Sequence, residues 1–172
     1  MLFIHNPRVP KNFLFDKDRK YEAQIASDDE DTDNPADFKP SGLWLSPLKA
    51  SDKSYTFHDH FVDSTINNVK FMVDDNTFVK WTDLYDKIPI VGHNKKILVI
   101  EPLDIRKLNS SYRIKSSCGF RIKFSWVREN FGGVLFKPYD YNLRSKYLWY
   151  SNLDGECMSV WNLDLVKLID EN

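Results

Sequence analysis

One histidine and two aromatic side chains near the start of this sequence are of the types that hold a planar ligand. His5 closes the apolar run 1–4, where a polar ring must find a hydrogen-bond partner. It could donate to a hydroxyl group of a ligand, or it could bond to the protein at a strand end. Trp44 lies in a second apolar run, 42–46, and Tyr55 follows it. Each ring could stack on a flat ligand or fill the core.

These segments resemble the nicotinamide pocket of the ADP-ribosyltransferase superfamily. Leu2-Phe3-Ile4-His5-Asn6 is similar to the family's first-strand segment, in which a histidine follows bulky apolar residues. Gly42-Leu43-Trp44-Leu45-Ser46 is similar to its Gly-Ile-Tyr-Phe segment. Ser51-Asp52-Lys53-Ser54-Tyr55 is similar to the Ser-Lys-Ser-x-x-Tyr helix start that comes next.

The resemblance implies NAD as the substrate and ADP-ribose transfer to a macromolecular acceptor, protein or nucleic acid, with release of nicotinamide. His5 would then contact a ribose hydroxyl, and Trp44 and Tyr55 would flank the nicotinamide. Gly42 would let the dinucleotide approach the backbone closely, and Ser46 would complete the site. Under this resemblance, His5 and Tyr55 are also catalytic candidates.

The acid that this chemistry needs is harder to place. Transferases of the family carry a glutamate on a late strand, where it orients the 2′-hydroxyl and offsets positive charge in the transition state. Leu135, in the predicted strand 134–136, occupies the matching point. Nothing in the spacing selects among Glu129, Asp140 and Asp154, and we name Glu129 as the candidate. The missing acid favours an alternative, a non-catalytic module of the same fold that recognises a nucleotide, ADP-ribose or nucleic acid.

Longer stretches also resemble a set of small phage and bacterial proteins whose activity is not settled. The matching pieces include Lys39 to Ser46, which reads Lys-Pro-x-Gly-Leu-Trp-x-Ser, and the segment 133–139. Arg144 precedes a matching Trp-Tyr pair, and in an NAD site it would lie near the pyrophosphate. This second resemblance implies a phage or viral protein that works in the cytoplasm of its host.

Basic and aromatic residues interleave between residues 137 and 150. The mixture suits a nucleic-acid surface, with cations on phosphates and rings on bases. It also suits an ordinary hairpin edge whose tyrosines cover the core. The residues concerned are Lys137, Tyr139, Tyr141, Arg144, Lys146 and Tyr147, and Arg121, Lys123 and Arg128 could extend the patch.

The bulk composition is that of one ordinary globular domain. The 172 residues include 24 basic and 25 acidic ones, so a net charge of −1 gives no global attraction to nucleic acid or to an anionic membrane. No window approaches the ~20 apolar residues of a membrane helix, and no secretory signal is visible, so we expect a cytoplasmic protein without a membrane partner. We expect Cys118 and Cys157 to be reduced thiols, and the spacing of His58, His60 and His93 does not favour a metal site.

The pattern of short apolar runs predicts an α+β fold in a single domain over 1–172. We expect two small mixed or antiparallel sheets that form a cleft, with two or three short helices. The acidic run 27–37 predicts a surface loop. The predicted strands are 2–5, 42–46, 68–74, 96–101 and 134–136, the predicted helices are 78–85, 103–108 and 122–130, and 147–150 with 157–161 are predicted to form a hairpin.

Overall fold

The computed structural model describes residues 1–5, 15–20, 40, 42–48, 69–84, 93–116, 119–153 and 155–169. The strands are β1 (Leu2–His5), β2 (Leu43–Pro47), β3 (Val69–Met72), β4 (Phe78–Lys80), β5 (His93–Ile100), β6 (Arg113–Ser116), β7 (Gly119–Ile122), β8 (Phe131–Phe136), β9 (Cys157–Val160) and β10 (Lys167–Ile169). The α-helices are α1 (Pro102–Tyr112), α2 (Ser125–Asn130) and α3 (Leu148–Ser151), and short 3-10 helices span Asp75–Thr77, Trp81–Leu84, Tyr141–Leu143 and Leu163–Leu165.

Eight of these strands form one mixed sheet in the order β10-β3-β1-β2-β9-β8-β5-β4. The pairs β4–β5 and β5–β8 are parallel, and the other pairs are antiparallel. Among the described strands, β6 and β7 pair only with each other, as an antiparallel hairpin outside the large sheet. The α+β class predicted from the sequence is confirmed.

The sheet curls, and the connection between β3 and β4 shows why it must. In a flat sheet these two strands would lie six spacings apart, roughly 29 Å. Only Val73 to Thr77 connect them, too few residues to cover that distance. The curl brings the two ends of the sheet together, and Phe3 of β1 meets Phe78 of β4 with ring centroids 6.2 Å apart.

Alternating side chains of the sheet supply two core layers. In β5, Ile97 and Val99 enter the layer enclosed by the curl, which we call the inner core, while Leu98 and Ile100 enter the layer covered by the helices, the helix-side core. The inner core also holds Phe3, Leu43, Leu45, Phe71, Leu135 and Met158. The helix-side core also holds Ile105, Leu108, Ile122, Val127, Phe136 and Trp149. Burial on both faces explains the continuous apolar runs of β5 and β8.

The expectation of two separate small sheets around a cleft is not confirmed, because β2 joins both halves into one sheet. Residues 43–45 pair with β9, and residues 46–47 pair with β1. Each half of the sheet therefore holds a different part of the same short strand. The predicted acidic loop 27–37 lies outside the described residues.

Helix α1 positions the β6–β7 hairpin. It begins with Pro102 at its first turn, where a missing N–H costs nothing, and the buried side chain of Asp104 accepts a hydrogen bond from the Glu101 N–H at 2.9 Å. The helix ends at Tyr112, and β6 starts at the next residue. The Lys123 N–H donates to the Tyr112 carbonyl at 2.8 Å, which closes the base of the hairpin against the helix.

No helix within the described ranges is both long enough and apolar enough to cross a membrane.

Candidate functional site

The His5 ring bonds to the protein itself. Its Nδ1 lies 2.8 Å from the carbonyl oxygen of Trp44. Because a carbonyl only accepts, Nδ1 carries the proton in this bond. Burial lowers the pKa of His5 below its ordinary value of 6.5, and the hydrogen bond to Trp44 acts in the opposite direction more weakly. The imidazole is therefore neutral at pH 7.

The side chains of His5 and Trp44 nevertheless point to opposite faces of the sheet. His5 is the register partner of Val69, which packs against the inner core, and Phe3, two residues earlier, belongs to that core. Trp44 packs against the helix-side core. Directly opposed residues share a face, and successive residues of a strand alternate. The His5 side chain thus contacts the Trp44 backbone, while the two side chains expected to form one pocket lie on opposite faces.

Gly42 and Ser46 have places in the sheet that account for both residues. A Cβ atom on Gly42 would lie 2.9 Å from the carbonyl oxygen of Val160, so the close approach of β9 requires glycine there. Ser46 is only 8% exposed and lies opposite Ile4 of β1. The structure thus uses both residues for packing of β2 between its neighbours.

The remaining catalytic candidates are not brought together with His5. Tyr55 and Asp154 lie outside the described residues. Glu129 is exposed near the end of α2, on the side of the sheet opposite to the one His5 faces. Leu135, where the family would carry its acid, is 1% exposed and lies in the inner core.

Arg144, expected near a pyrophosphate, makes local contacts. Its Nη2 donates to the carbonyl oxygen of Ser151 at 2.9 Å, at the end of α3. Its Cζ lies 5.2 Å from the ring centroid of Tyr141, which is 61% exposed. The side chain therefore ties the loop before α3 to the end of that helix.

Two other residues of the 137–150 patch, Tyr139 and Lys137, also make contacts within the fold. Tyr139 is buried, donates to the Leu153 carbonyl at 2.6 Å and stacks on Tyr150 with centroids 4.8 Å apart. Lys137 lies 3.5 Å from the buried carboxylate of Glu156. This favours the interpretation in which the tyrosines of the patch cover the core. The hairpin predicted from 147–150 and 157–161 is wrong, because Leu148–Ser151 forms α3 and 157–160 forms β9, which pairs with β2 and β8.

A stronger cationic feature lies earlier in the chain, and of its residues only Arg121, Lys123 and Arg128 belong to the patch expected from the sequence. Residues 105–128 contain seven basic side chains and no acidic one. The rest of the chain carries 17 basic and 25 acidic residues. Residues 105–128, which we call the basic segment, are therefore positively charged, whereas the remainder of the chain has a net negative charge. The seven basic side chains are Arg106, Lys107, Arg113, Lys115, Arg121, Lys123 and Arg128.

The β6–β7 hairpin and Lys123, which we call the basic ribbon (113–123), present part of this segment to solvent. Arg113, Lys115 and Lys123 are exposed. Phe120 lies directly opposite Lys115 and is 45% exposed, with the Arg113 Cζ 4.6 Å from its ring centroid. One face of the ribbon thus combines an aromatic ring with two cations.

The base of the ribbon is held firmly. Ile122 is 1% exposed in the helix-side core. Tyr112, just before β6, stacks on Trp126 of α2 with centroids 4.2 Å apart and an angle of 17° between the rings. The buried Ile122 and the stacked Tyr112 therefore fix the base of the ribbon against the helix-side core.

Two signals in the sequence mark the ribbon. One is the absence of carboxylates over the 24 residues 105–128. Counting charges within this segment reveals it, whereas the net charge of the whole chain, −1, does not. The other is Ser-Ser-Cys-Gly between two short segments that alternate basic and apolar residues, a pattern typical of a hairpin.

Metal ligands do not cluster in the part of the chain that the structure covers, where no three His, Cys, Asp or Glu residues could hold one ion. His58 and His60 lie outside that part. Cys157 forms no disulfide bond with another described residue.

Comparisons of the chain with protein-family models, with curated proteins and with solved structures return no match. What the chain binds must therefore be inferred from its own residues.

Proposed function

We propose that this protein is a non-catalytic module that binds nucleic acid through the basic ribbon. The observation that carries the proposal is the exposed Phe120 ring with Arg113 stacked over it and Lys115 opposite it. This group lies within 24 residues that hold seven cations and no carboxylate.

Charge supports this choice. Phosphates are bound by lysine and arginine side chains, and the release of counterions drives that binding. Neither Arg113 nor Lys115 forms an ion pair with a carboxylate of the described residues. Their charges are therefore not neutralised within that part of the fold, and they are available to phosphates.

Shape supports it as well. Phe120 keeps 45% of its surface exposed on the hairpin, so its ring offers a stacking surface to a base. The guanidinium of Arg113 adds a cation that binds phosphate and also tolerates contact with flat rings. A two-stranded ribbon is also one of the elements that fit nucleic-acid grooves.

ADP-ribose transfer from NAD stays a prediction of the sequence resemblance. We place it second because the His5 and Trp44 side chains face opposite sides of the sheet, and because Leu135 occupies the position of the expected acid. No contact among the described residues favours ADP-ribose transfer over a non-catalytic binding function.

The test is binding of a fluorescently labelled, mixed-sequence oligonucleotide, followed by anisotropy at low salt. Arg113→Ala/Lys115→Ala should weaken binding about tenfold or more, since two charge-assisted phosphate contacts are removed. The matched control is Lys95→Ala/Lys167→Ala, which removes two exposed lysines outside the ribbon and should change affinity far less. Absence of binding by the unaltered protein, or an equal loss in the control, would overturn the proposal.

A further inference from the structure

One tyrosine of the 137–150 patch, Tyr141, does not cover the core. It is 61% exposed, whereas the other tyrosines of that patch are buried or pack against the helix-side core. The Cζ of Arg144 lies 5.2 Å from the centroid of its ring. This second pair repeats the arrangement of Arg113 and Phe120, in which an exposed ring lies beside a guanidinium.

The charge around the second pair is positive. Residues 141–153 carry two cations, Arg144 and Lys146, and no carboxylate. Neither cation forms an ion pair with a carboxylate of the described residues. Arg144 gives one N–H to the end of α3, and a guanidinium has five, so this bond leaves donors for a phosphate. The nearest carboxylate along the chain, that of Asp140, accepts two hydrogen bonds from Asn142, at 2.9 and 3.1 Å.

Helix α3 connects the second pair to the basic ribbon. It packs against β7, and its Trp149 meets Phe124, the second residue after β7, edge to face with ring centroids 6.2 Å apart. The Trp149 Nε1 also donates to the side-chain oxygen of Asn109 in α1 at 3.2 Å. The hydrogen bond from Arg144 to the last residue of α3 fixes the 141–147 loop to the same helix. The two cation–ring pairs are therefore carried by elements that contact each other.

The cationic face of the ribbon is the face turned toward α3. Arg113 lies opposite Ile122. Lys115 lies opposite Phe120 two positions further along, so all four side chains share one face of the ribbon. Ile122 is buried in the helix-side core, the layer that also holds Trp149 of α3. The face that carries the exposed Phe120 ring therefore continues toward α3 and the loop attached to it.

We propose that the nucleic acid is single-stranded and that it continues from the basic ribbon onto Tyr141, where a second base stacks and Arg144 and Lys146 contact phosphates. This inference rests on the proposed function. Two exposed rings, each beside a cation and on elements in contact, fit a strand whose unpaired bases stack on both. In a duplex the faces of the bases are already covered by their neighbours, so neither ring finds a stacking partner.

The experiment compares three labelled oligonucleotides by anisotropy at low salt: a single strand of about 12 thymidylates, a duplex of that length, and a single strand of that length without bases. The unaltered protein should bind the thymidylate strand most tightly. Tyr141→Ala should weaken that binding about tenfold, through loss of one stacked base, and change binding of the strand without bases less than about twofold. The matched control is Tyr141→Phe, which keeps the ring and should retain the affinity within about twofold.

Lys146→Glu tests the cations of the loop, and it serves if Tyr141→Ala does not fold. Lys146 is exposed, and reversal of its charge should weaken binding of both single strands severalfold. Lys95→Glu makes the same change at an exposed lysine of β5 and should weaken binding far less.

Tighter binding of the duplex overturns the inference, and so does an equal loss by Tyr141→Ala on the strand without bases. An unchanged affinity of Tyr141→Ala for the thymidylate strand, while Arg113→Ala/Lys115→Ala still weakens binding, overturns the inference and leaves the proposed function intact. Failure of the unaltered protein to bind any of the three oligonucleotides overturns both.

Discussion

Arg113 and Phe120 form a cation–π pair across the β6–β7 hairpin, with the guanidinium carbon 4.6 Å from the centroid of a ring that stays 45% exposed. The two residues lie diagonally on adjacent strands, two register positions apart, since Arg113 is opposite Ile122 and Phe120 is opposite Lys115. The pair holds the arginine side chain in place before any ligand arrives, so less side-chain freedom is lost when a phosphate or base is bound.

Phe120→Ala should weaken binding of single-stranded oligonucleotide by about 1–3 kcal/mol, the usual contribution of one base–aromatic stack. Met72→Ala is the matched control, because it removes another exposed apolar side chain, 44% accessible, from β3 in the large sheet. Titration by anisotropy measures both. Equal affinities of Phe120→Ala and the unaltered protein would show that the ring does not contact the strand.

The affinity should fall steeply with salt. The logarithm of the binding constant should decrease linearly with the logarithm of salt concentration, and Lys115→Ala should reduce the slope by about 1 if the lysine contacts one phosphate. Repeating the titration at four or more salt concentrations gives the slope. Salt-independent binding would contradict an electrostatic contact at the ribbon.

Incubation with NAD should release no nicotinamide above the rate without protein. The physical reason is that the His5 and Trp44 side chains lie on opposite faces of the sheet, so they do not enclose one ligand. Chromatographic detection of nicotinamide, with host lysate as the source of acceptors, is the measurement. Release that His5→Ala abolishes would restore the transferase hypothesis.

Acid should destabilise the fold through His5. Its folded-state pKa is lowered from 6.5, so below pH 6.5 the unfolded chain takes up a proton more readily than the folded one. The free energy of unfolding should therefore fall as pH drops from about 6.5 to the folded-state pKa, and it should level off below that. His5→Asn keeps a donor near the Trp44 carbonyl but cannot titrate, so urea unfolding between pH 7.5 and 4.5 should show a smaller loss. Parallel pH profiles for the two proteins would exclude His5 as the cause.

Gly42→Ala should destabilise the protein by about 1–3 kcal/mol, because the added methyl would press against the Val160 carbonyl of β9. Thermal unfolding should show a fall of several degrees. Oligonucleotide affinity of the folded fraction should not change. An unchanged melting temperature would mean that β9 can move away from residue 42 without loss of stability.

Much of the sheet could be predicted from local patterns. The strands predicted at 2–5, 42–46 and 96–101 correspond to β1, β2 and β5, since apolar runs of this length bounded by polar or turn residues have few other outcomes. The helix predicted at 103–108 is α1, extended to Tyr112. Pro102 favours a helix start at this position, because the first turn of a helix tolerates a residue without an N–H.

Other segments depended on partners far away in the chain. The apolar spacing of 78–85 predicted a helix, which is wrong for 78–84: β4 and a 3-10 turn form instead, because Phe78 to Lys80 pair with β5 and extend the sheet. The curl of the sheet and the placement of His5 and Trp44 on opposite faces depend on which strands are neighbours. The spacing of apolar residues within a single strand does not predict its neighbours. The ribbon was missed because its apolar residues are few, so the signals that mark it are its charge and the short alternation of basic and apolar residues around its turn.

Strand β2 has its two neighbours at very different distances along the chain. Residues 43–45 pair with β9, which lies more than a hundred residues later in the chain. Residues 46–47 pair with β1, which precedes β2 and is therefore available as soon as β2 is made. During synthesis β2 and β1 therefore leave the ribosome well before β9, and the edge of β2 that β9 covers stays unsatisfied until β9 has emerged. Such a chain should fold slowly for its size and should benefit from a chaperone that covers β2 in the interval.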